Sequence, residues 1–331
     1  MKKCCILLLI LCFLLGGCAP AAQKQYNAVY LDLFDTVTTI IGSGDSEEQF
    51  RQEAQKIYEQ FLVYHRLFDI YNDYEGINNL KTVNDQAGIA PVKVDSAIIE
   101  LLLDCKAYYE LTDGKVNAAM GSVLKLWHEA RSYGIENPDD AKLPDADALA
   151  QAAEHISFKS IVIDEKASTV YISDPEASLD VGAIAKGWAV RRVAENAPKG
   201  MLISVGGNVC ATGAKADGSA WVVGVQNPDG GEYLRKISIT DGAVVTSGDY
   251  QRTYTVDGKQ YHHIIDPATG MPSTYWRSVT VVCADSALAD ALSTALFVLP
   301  LEEGKALAEE CGAEVLWLDA QGEQYSTDDF Q

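Results

Sequence analysis

The chain has 331 residues and a mass of 35.9 kDa, with 47 Asp and Glu against 26 Lys and Arg, for a formal net charge of −21. With 48% hydrophobic and 22% charged residues, its composition is globular, which excludes wholesale disorder, collagen-like repeats and a multi-span membrane protein. A chain this acidic carries no general basic field, so no nucleic-acid partner is expected.

Residues 1–17 read MKKCCILLLILCFLLGG: Lys2 and Lys3 give a charged start, residues 4–15 an apolar run, and small residues follow. That run is short for a membrane span and reads as a secretory signal. Leu15-Gly16-Gly17-Cys18 resembles the bacterial lipobox, where cleavage precedes a cysteine that is then lipidated. An ordinary signal or anchor with an incidental cysteine is the other reading. Cleavage before Cys18 leaves 314 residues, and loss of Lys2 and Lys3 takes the formal charge to −23. Residues 18–27 then form a lipidated tether to the extracytoplasmic face of a bacterial membrane, and more than one acyl chain makes such an anchor stable.

Residues 28–331 are long enough for one large domain or two packed lobes. The β-branched stretch 29–41 predicts a strand or a bent pair of strands. Recurring apolar residues over 46–70 predict an amphipathic helix, and 71–93 an exposed loop region. Asp95 and Ser96 cap a helix over 97–111, which Thr112-Asp113-Gly114 ends. Further helical segments are expected at 119–130 and near 146–154, with a polar loop over 133–145. Short strands follow at 158–164, 168–173, 201–205, 221–226, 234–239 and 243–246, interrupted by a helix over 182–193. Helices over 285–299 and 301–311 and a strand at 314–318 complete the chain. Strands and helices without regular βαβ spacing predict an α+β fold of mixed sheets with packed helices. A helical first half would meet a β-rich second half near residue 155.

Cys105, Cys210, Cys283 and Cys311 are widely spaced, have no CxxC pattern, and sit in apolar or mixed contexts, so they read as buried thiols. A secreted setting also permits a disulfide, which the spacing does not assign.

Four segments concentrate unusual chemistry. In residues 179–188, LDVGAIAKGW, small residues permit close approach, and Asp180 and Lys186 can flank a polar ligand; a helix start packed tightly on a sheet is the alternative. No GxGxxG or Walker A pattern occurs there. Residues 204–208, SVGGN, can expose backbone N–H groups to a phosphate or a flavin edge, or simply turn. Residues 246–252, TSGDYQR, and 261–270, YHHIIDPATG, bring Tyr250 as a stacking surface and two of the five histidines. On a strand, His262 and His263 would face opposite ways, so one of them can serve a site as an acid–base group. Direct zinc binding lacks an obvious third ligand, and Asp266 can cap the Pro267–Gly270 turn. In 289–296, ADALSTAL, helical spacing puts Asp290, Ser293 and Thr294 on one face. That oxygen set suits Mg²⁺ or Ca²⁺, completed by water and ligand phosphate; a helix-start carboxylate with Ser/Thr bonded to backbone is the alternative.

Taken together, and in order, FDTVTT at 34–39, TDGKVNAAMGSVLKLW at 112–127, LDVGAIAKGWAV at 179–190, ISVGGN at 203–208, TSGDYQR, YHHIIDPATG and ADALSTALF at 289–297 resemble the ApbE family of FAD:protein FMN transferases over roughly residues 28–318. The resemblance implies an α+β architecture with a T-fold-like core and an enzyme that binds Mg²⁺ and uses FAD as substrate. FMN is passed to a Ser/Thr hydroxyl of an extracytoplasmic flavoprotein, within a motif like Asp-x-(Ser/Thr)-Gly-Ala-(Ser/Thr), and AMP leaves. It assigns the metal to Asp290, Thr294, the Ala183 carbonyl and, where some relatives have an aspartate, Ser293. Flavin-substrate contacts carry over to Phe34, Ala119, Met120, Gly121, Asp180, Lys186, Tyr250 and His263. Phe34 replaces the common Met, and Asn117-Ala118-Ala119 replaces a frequent Phe-Asp-Pro. His263, assisted by Asp180, is the candidate for proton transfer. A flavin-binding lipoprotein without transferase activity and an FAD pyrophosphatase giving FMN and AMP are the competing readings.

Overall fold

The computed structural model describes residues 24–330; the signal and Cys18 lie outside the described residues. The β-branched stretch is a hairpin of β1 (Lys24–Leu33) and β2 (Thr36–Gly44), turning through Phe34 and Asp35 at φ 53° and 51°. Two successive left-handed residues give a turn whose twist matches the flanking strands. Phe34 is a costly residue for that conformation. Its ring packs edge-on to Phe61 and His65, and its N–H donates to His65 Nδ1 at 3.2 Å.

The hairpin opens an eight-stranded antiparallel sheet completed by β3 (Leu202–Val205), β4 (Asn208–Thr212), β5 (Asp241–Gly248), β6 (Ser278–Cys283), β7 (Glu314–Leu318) and β8 (Gln324–Ser326). Spatial order follows chain order, so the sheet is a meander with helices inserted into its connections. Side chains alternate across it, as the pleat requires. Ile203, Cys210, Ala243, Val245, Val279, Val281, Val315 and Trp317 face the main helical core. Leu202, Ala211, Val244 and Leu316 face a second cluster built on the hairpin of Trp221–Val225 and Arg235–Ile239.

The helices are α1 (Glu47–Phe68), α2 (Leu80–Asp85), α3 (Ser96–Leu111), α4 (Gly121–Glu136), α5 (Ala146–Ala153), α6 (Ala185–Asn196), α7 (Ser286–Phe297) and α8 (Leu301–Glu310). Ser46, Asp95, Asp145 and Asp285 cap α1, α3, α5 and α7 by accepting backbone N–H bonds, the signal their sequences carried. One buried cluster runs from Leu33 to Trp317, so packing is continuous across residue 155. A third, small cluster joins Met120, Val123 and Trp127 of α4 to Tyr254, Val256 and Ile265.

Several elements differ from the sequence expectation. The 71–93 region holds α2, capped by Asn79 and Thr82, and a strand at Val92–Lys93; six residues with Leu80 and Val83 buried are too short to show a period. α4 continues to Glu136, where Gly134 lies against Tyr254. Strand β6, central in the sheet, has Ser278, Val279, Thr280 and Val281 buried in succession and so gives no alternation. The four cysteines are free, Cys105 and Cys210 buried, Cys283 and Cys311 half-buried. Among the described residues, no helix is long and apolar enough to cross a membrane.

Candidate active site

A cleft of about 1350 Å³, mouth included, opens between the α6–α7 pair, the ends of β4 and β5, and the α4 cluster. Small-molecule pockets run about 300–1,000 Å³, so the space suits an elongated ligand.

Its polar wall depends on how closely α6 and α7 approach. A Cβ at Gly187 would come within 2.4 Å of both Asp290 Cβ and Ser286 O. Glycine removes that clash and lets the Gly187 N–H donate to Asp290 Oδ2 at 2.8 Å. Asp290 is 3% exposed, and its Oδ1 accepts from Asn208 Nδ2 at 3.2 Å. Lys186 Nζ lies 3.5 Å from Oδ2 and donates to Gly182 O at 3.2 Å. These partners offset the cost of burying a carboxylate. Since a carboxylate only accepts, Asn208 must turn its amide nitrogen to Asp290, and its Oδ1 is buried without a partner. Replacing Gly187 by alanine is expected to cost about 1–3 kcal/mol through overpacking, read as a lower urea midpoint. An unchanged midpoint would mean that the helices have room to separate.

Thr294 and Ala183 line the same wall. Ser293 does not: it is fully buried, donates to Asp290 O at 2.9 Å, and sits 2.8 Å from Ser247 Oγ. With its proton committed to that carbonyl, it accepts from Ser247, so it braces the Asp290 turn and the β5 wall. Among the described residues there is no cluster of three His, Cys, Asp or Glu side chains.

His262 and His263 lie in a bend between strand pieces, and both line the cleft. They are used differently. His262 donates from Nε2 to Ser273 O at 2.8 Å and accepts at Nδ1 from the Ile264 N–H, so both nitrogens are engaged. His263 Nδ1 is 3.2 Å from Gln251 O; a carbonyl only accepts, so Nδ1 carries the proton and Nε2 keeps its lone pair. Burial, then Arg252, His262, Lys186 and Arg131, lower the His263 pKa to about 3. The ring is therefore neutral near neutral pH.

Asp180 lines the cleft and accepts from the Gly182 N–H at 2.8 Å. Burial pushes its carboxyl pKa up, against the pull of that N–H and of Arg252, His128 and Arg131. Its backbone is pinned by a bond to Ala118 O. Met120 reaches the cleft from the start of α4. Four other expected contacts do not line it. Ala119 is fully buried, and Gly121 lines a neighbouring groove while donating to Ser178 O. Tyr250 is half-buried against Gly248, and Phe34 meets the site through its carbonyl, which accepts from Arg252 at 3.4 Å.

The sequence reading missed Asn208, Tyr71, His128, Arg131 and Arg252, all of which line the cleft. Tyr71 falls in the stretch taken as loop. Its ring stacks on His128 at 5.0 Å, and His128 accepts at Nδ1 from Arg131 Nη2 at 2.9 Å. His128 and Arg131 continue the α4 stripe of Met120, Leu124 and Trp127; polar residues on an apolar stripe were the available signal.

The ApbE family profile matches residues 31–317. An FAD:protein FMN transferase of Treponema pallidum is 36% identical over 260 residues, covering 72% of this chain and 70% of that protein. One from Klebsiella pneumoniae is 33% identical over 253 residues, covering 72% and 76%. The ApbE protein of Thermotoga maritima superposes with a TM-score of 0.82 at 30% identity, covering 92% of this chain and 97% of that one. The flavin transferase ApbE of Vibrio cholerae superposes at 0.78 and 25% identity, covering 93% and 98%. A match to the family profile over nearly the whole described length, on the same mixed fold of sheet and packed helices, means that this chain belongs to the ApbE family.

Proposed function

We propose that this chain transfers FMN from FAD to a Ser/Thr hydroxyl of an extracytoplasmic flavoprotein and releases AMP. The observation that carries the reading is one elongated cleft lined by an oxygen-donor wall, a neutral histidine with a free ring nitrogen, and several cationic side chains. The family relatives that carry this activity by name support it.

Mg²⁺ fits the donor chemistry. The Asp290 carboxylate, the Thr294 hydroxyl and the Ala183 carbonyl would hold it, and the unpartnered Asn208 Oδ1 beside Asp290 marks a wall with acceptor capacity to spare. Such a set needs water and phosphate oxygens to complete an octahedral shell. When bound, the ion supplies positive charge to the FAD pyrophosphate. Ser293 acts one layer behind, fixing the helix turn that presents Asp290.

The chain's own groups do the rest. Lys186 adds positive charge beside the pyrophosphate, and Asp180, Met120 and the 119–121 backbone form the flank against the bound dinucleotide. His263 Nε2 takes the proton of the acceptor hydroxyl, with Asp180 assisting. The acceptor oxygen forms its bond to the FMN-side phosphorus as the bond to the bridging oxygen breaks, and that oxygen leaves with AMP.

The same proposal takes residues 1–17 as signal, Cys18 as the lipidated residue, 18–27 as tether and 28–331 as the catalytic domain on the extracytoplasmic face. The acceptor carries a motif like Asp-x-(Ser/Thr)-Gly-Ala-(Ser/Thr). Incubation with FAD, Mg²⁺ and a peptide bearing that motif should give a covalent FMN mass increase on the peptide and an equal amount of AMP. Free FMN and AMP without labelled peptide would mean a pyrophosphatase. Tight FAD binding with neither product would mean a binding module.

A further inference from the structure

The cleft holds a second group of charges that the metal wall and His263 do not use. Arg131 is half-buried on α4 and lines the cleft. Among the described residues, its hydrogen bond goes to a neutral group, His128 Nδ1 at 2.9 Å, and no carboxylate lies within ion-pair distance. A guanidinium only donates, so His128 carries its proton on Nε2 and orients Arg131 without neutralising it. The His128 ring is itself held by stacking on Tyr71.

Arg252 lines the same cleft from the opposite side. Its backbone is left-handed at φ 47°, and its side chain makes one long bond, 3.4 Å, to Phe34 O. Asp180 is the acid that both arginines feel. Its Oδ1 already accepts from the Gly182 N–H. Two guanidiniums facing a confined space without paired carboxylates repel each other, and an arriving anion relieves that cost.

Position along the cleft says which anion. Lys186, Asp290 and Thr294 mark the α6–α7 wall, and His263 is influenced more strongly by Lys186 than by Arg131. Arg131 stands on α4 beside the apolar cluster of Trp127 and Tyr254, away from that wall. The phosphorus that is attacked belongs at the α6–α7 wall, so the departing phosphate belongs toward α4. Resting on the transferase reading, we propose that Arg131, oriented by His128 and joined across the cleft by Arg252, binds the phosphate that leaves as AMP. When the bridging P–O bond breaks, its electron pair stays on the departing oxygen, and the new negative charge develops on that phosphate. The acceptor oxygen has meanwhile replaced it on the FMN phosphorus, and the hydroxyl proton has passed to His263.

The test is calorimetric binding of AMP, FMN and adenosine to the full chain, without acceptor. Arg131→Gln should weaken AMP by about 10- to 100-fold, the value of a charge-assisted hydrogen bond, and change FMN and adenosine by less than about threefold. Arg131→Lys, which keeps the charge and loses the planar fork, should fall between the two. Retained FMN affinity in the same variants reports an intact cleft. AMP affinity within about threefold of the parent in Arg131→Gln, or FMN weakened as much as AMP, overturns the assignment. A parent chain that binds neither FAD nor AMP removes the transferase reading, and this assignment with it.

Discussion

Replacing Asp290 by alanine is expected to lower FMN transfer by about a thousandfold or more and to abolish its dependence on Mg²⁺. A divalent ion at a transferring phosphoryl group is worth several kcal/mol of barrier, and each 1.36 kcal/mol is a factor of ten. Asp290 is the only carboxylate in the proposed donor set, and three contacts converge on it: the Gly187 N–H, Asn208 Nδ2 and, at 3.5 Å, Lys186. Truncation leaves these donors facing an apolar gap, so the variant should also be less stable. The two effects separate cleanly. A Mg²⁺ titration of the transfer rate reads the first, and Mn²⁺ binding followed by electron paramagnetic resonance reads it without turnover. A variant that keeps the parent's Mg²⁺ dependence removes Asp290 from the ligand set, whatever happens to its melting temperature.

Replacing His263 by alanine should reduce transfer by roughly a hundred- to ten-thousandfold, the usual worth of a positioned acid–base group, with a smaller change in FAD affinity. The pH dependence carries more information. A base must be unprotonated to work, so activity is present above its pKa and lost as pH falls through it. In the free enzyme that pKa is about 3, far below the ordinary histidine value of about 6.5, because burial and the cations Arg252, Lys186 and Arg131 oppose a second positive charge. The acid limb of kcat/KM assigned to His263 should therefore lie well below pH 5. Bound FAD brings negative charge against those same cations, which raises the pKa in the complex. The acid limb of kcat should accordingly sit at higher pH than that of kcat/KM. Coincident limbs, or a His263 ring that titrates near 6.5 by NMR in the free chain, would contradict this account of the site.

Much of the site was legible because its chemistry is local. Asp290 and Thr294 share a face by helical spacing alone, and the two histidines had to differ because adjacent side chains rarely enter one environment together. The ring nitrogens bear that out, with His262 spent on Ser273 and Ile264 and His263 left one nitrogen free. Ser293 shows the limit of spacing as an argument. It shares the Asp290 face, yet its hydroxyl turns to Ser247 on β5, a neighbour 46 positions away in sequence. Tyr71, His128 and Arg131 were not legible, since nothing local in a polar loop and an amphipathic helix says that their side chains meet.

The fold divides in the same way. Caps and turns that depend on a few consecutive residues, such as Asp95, Asp145, Asp285 and the Asp266 turn, follow from the sequence by itself. So does the family, because its ordered motifs survive as short strings. Strand β6 could not be read, because its neighbours β5 and β7 and the helical core bury successive residues and erase the period on which recognition relies. The tertiary structure also decided how closely α6 and α7 approach, and therefore where a carboxylate at position 290 lies relative to Asn208 and Lys186. The sequence by itself determined which groups are available to handle a phosphoryl transfer. Only packing between distant segments decided which of them share one cleft, because the distances that set charge and hydrogen bonding are between residues a hundred or more positions apart.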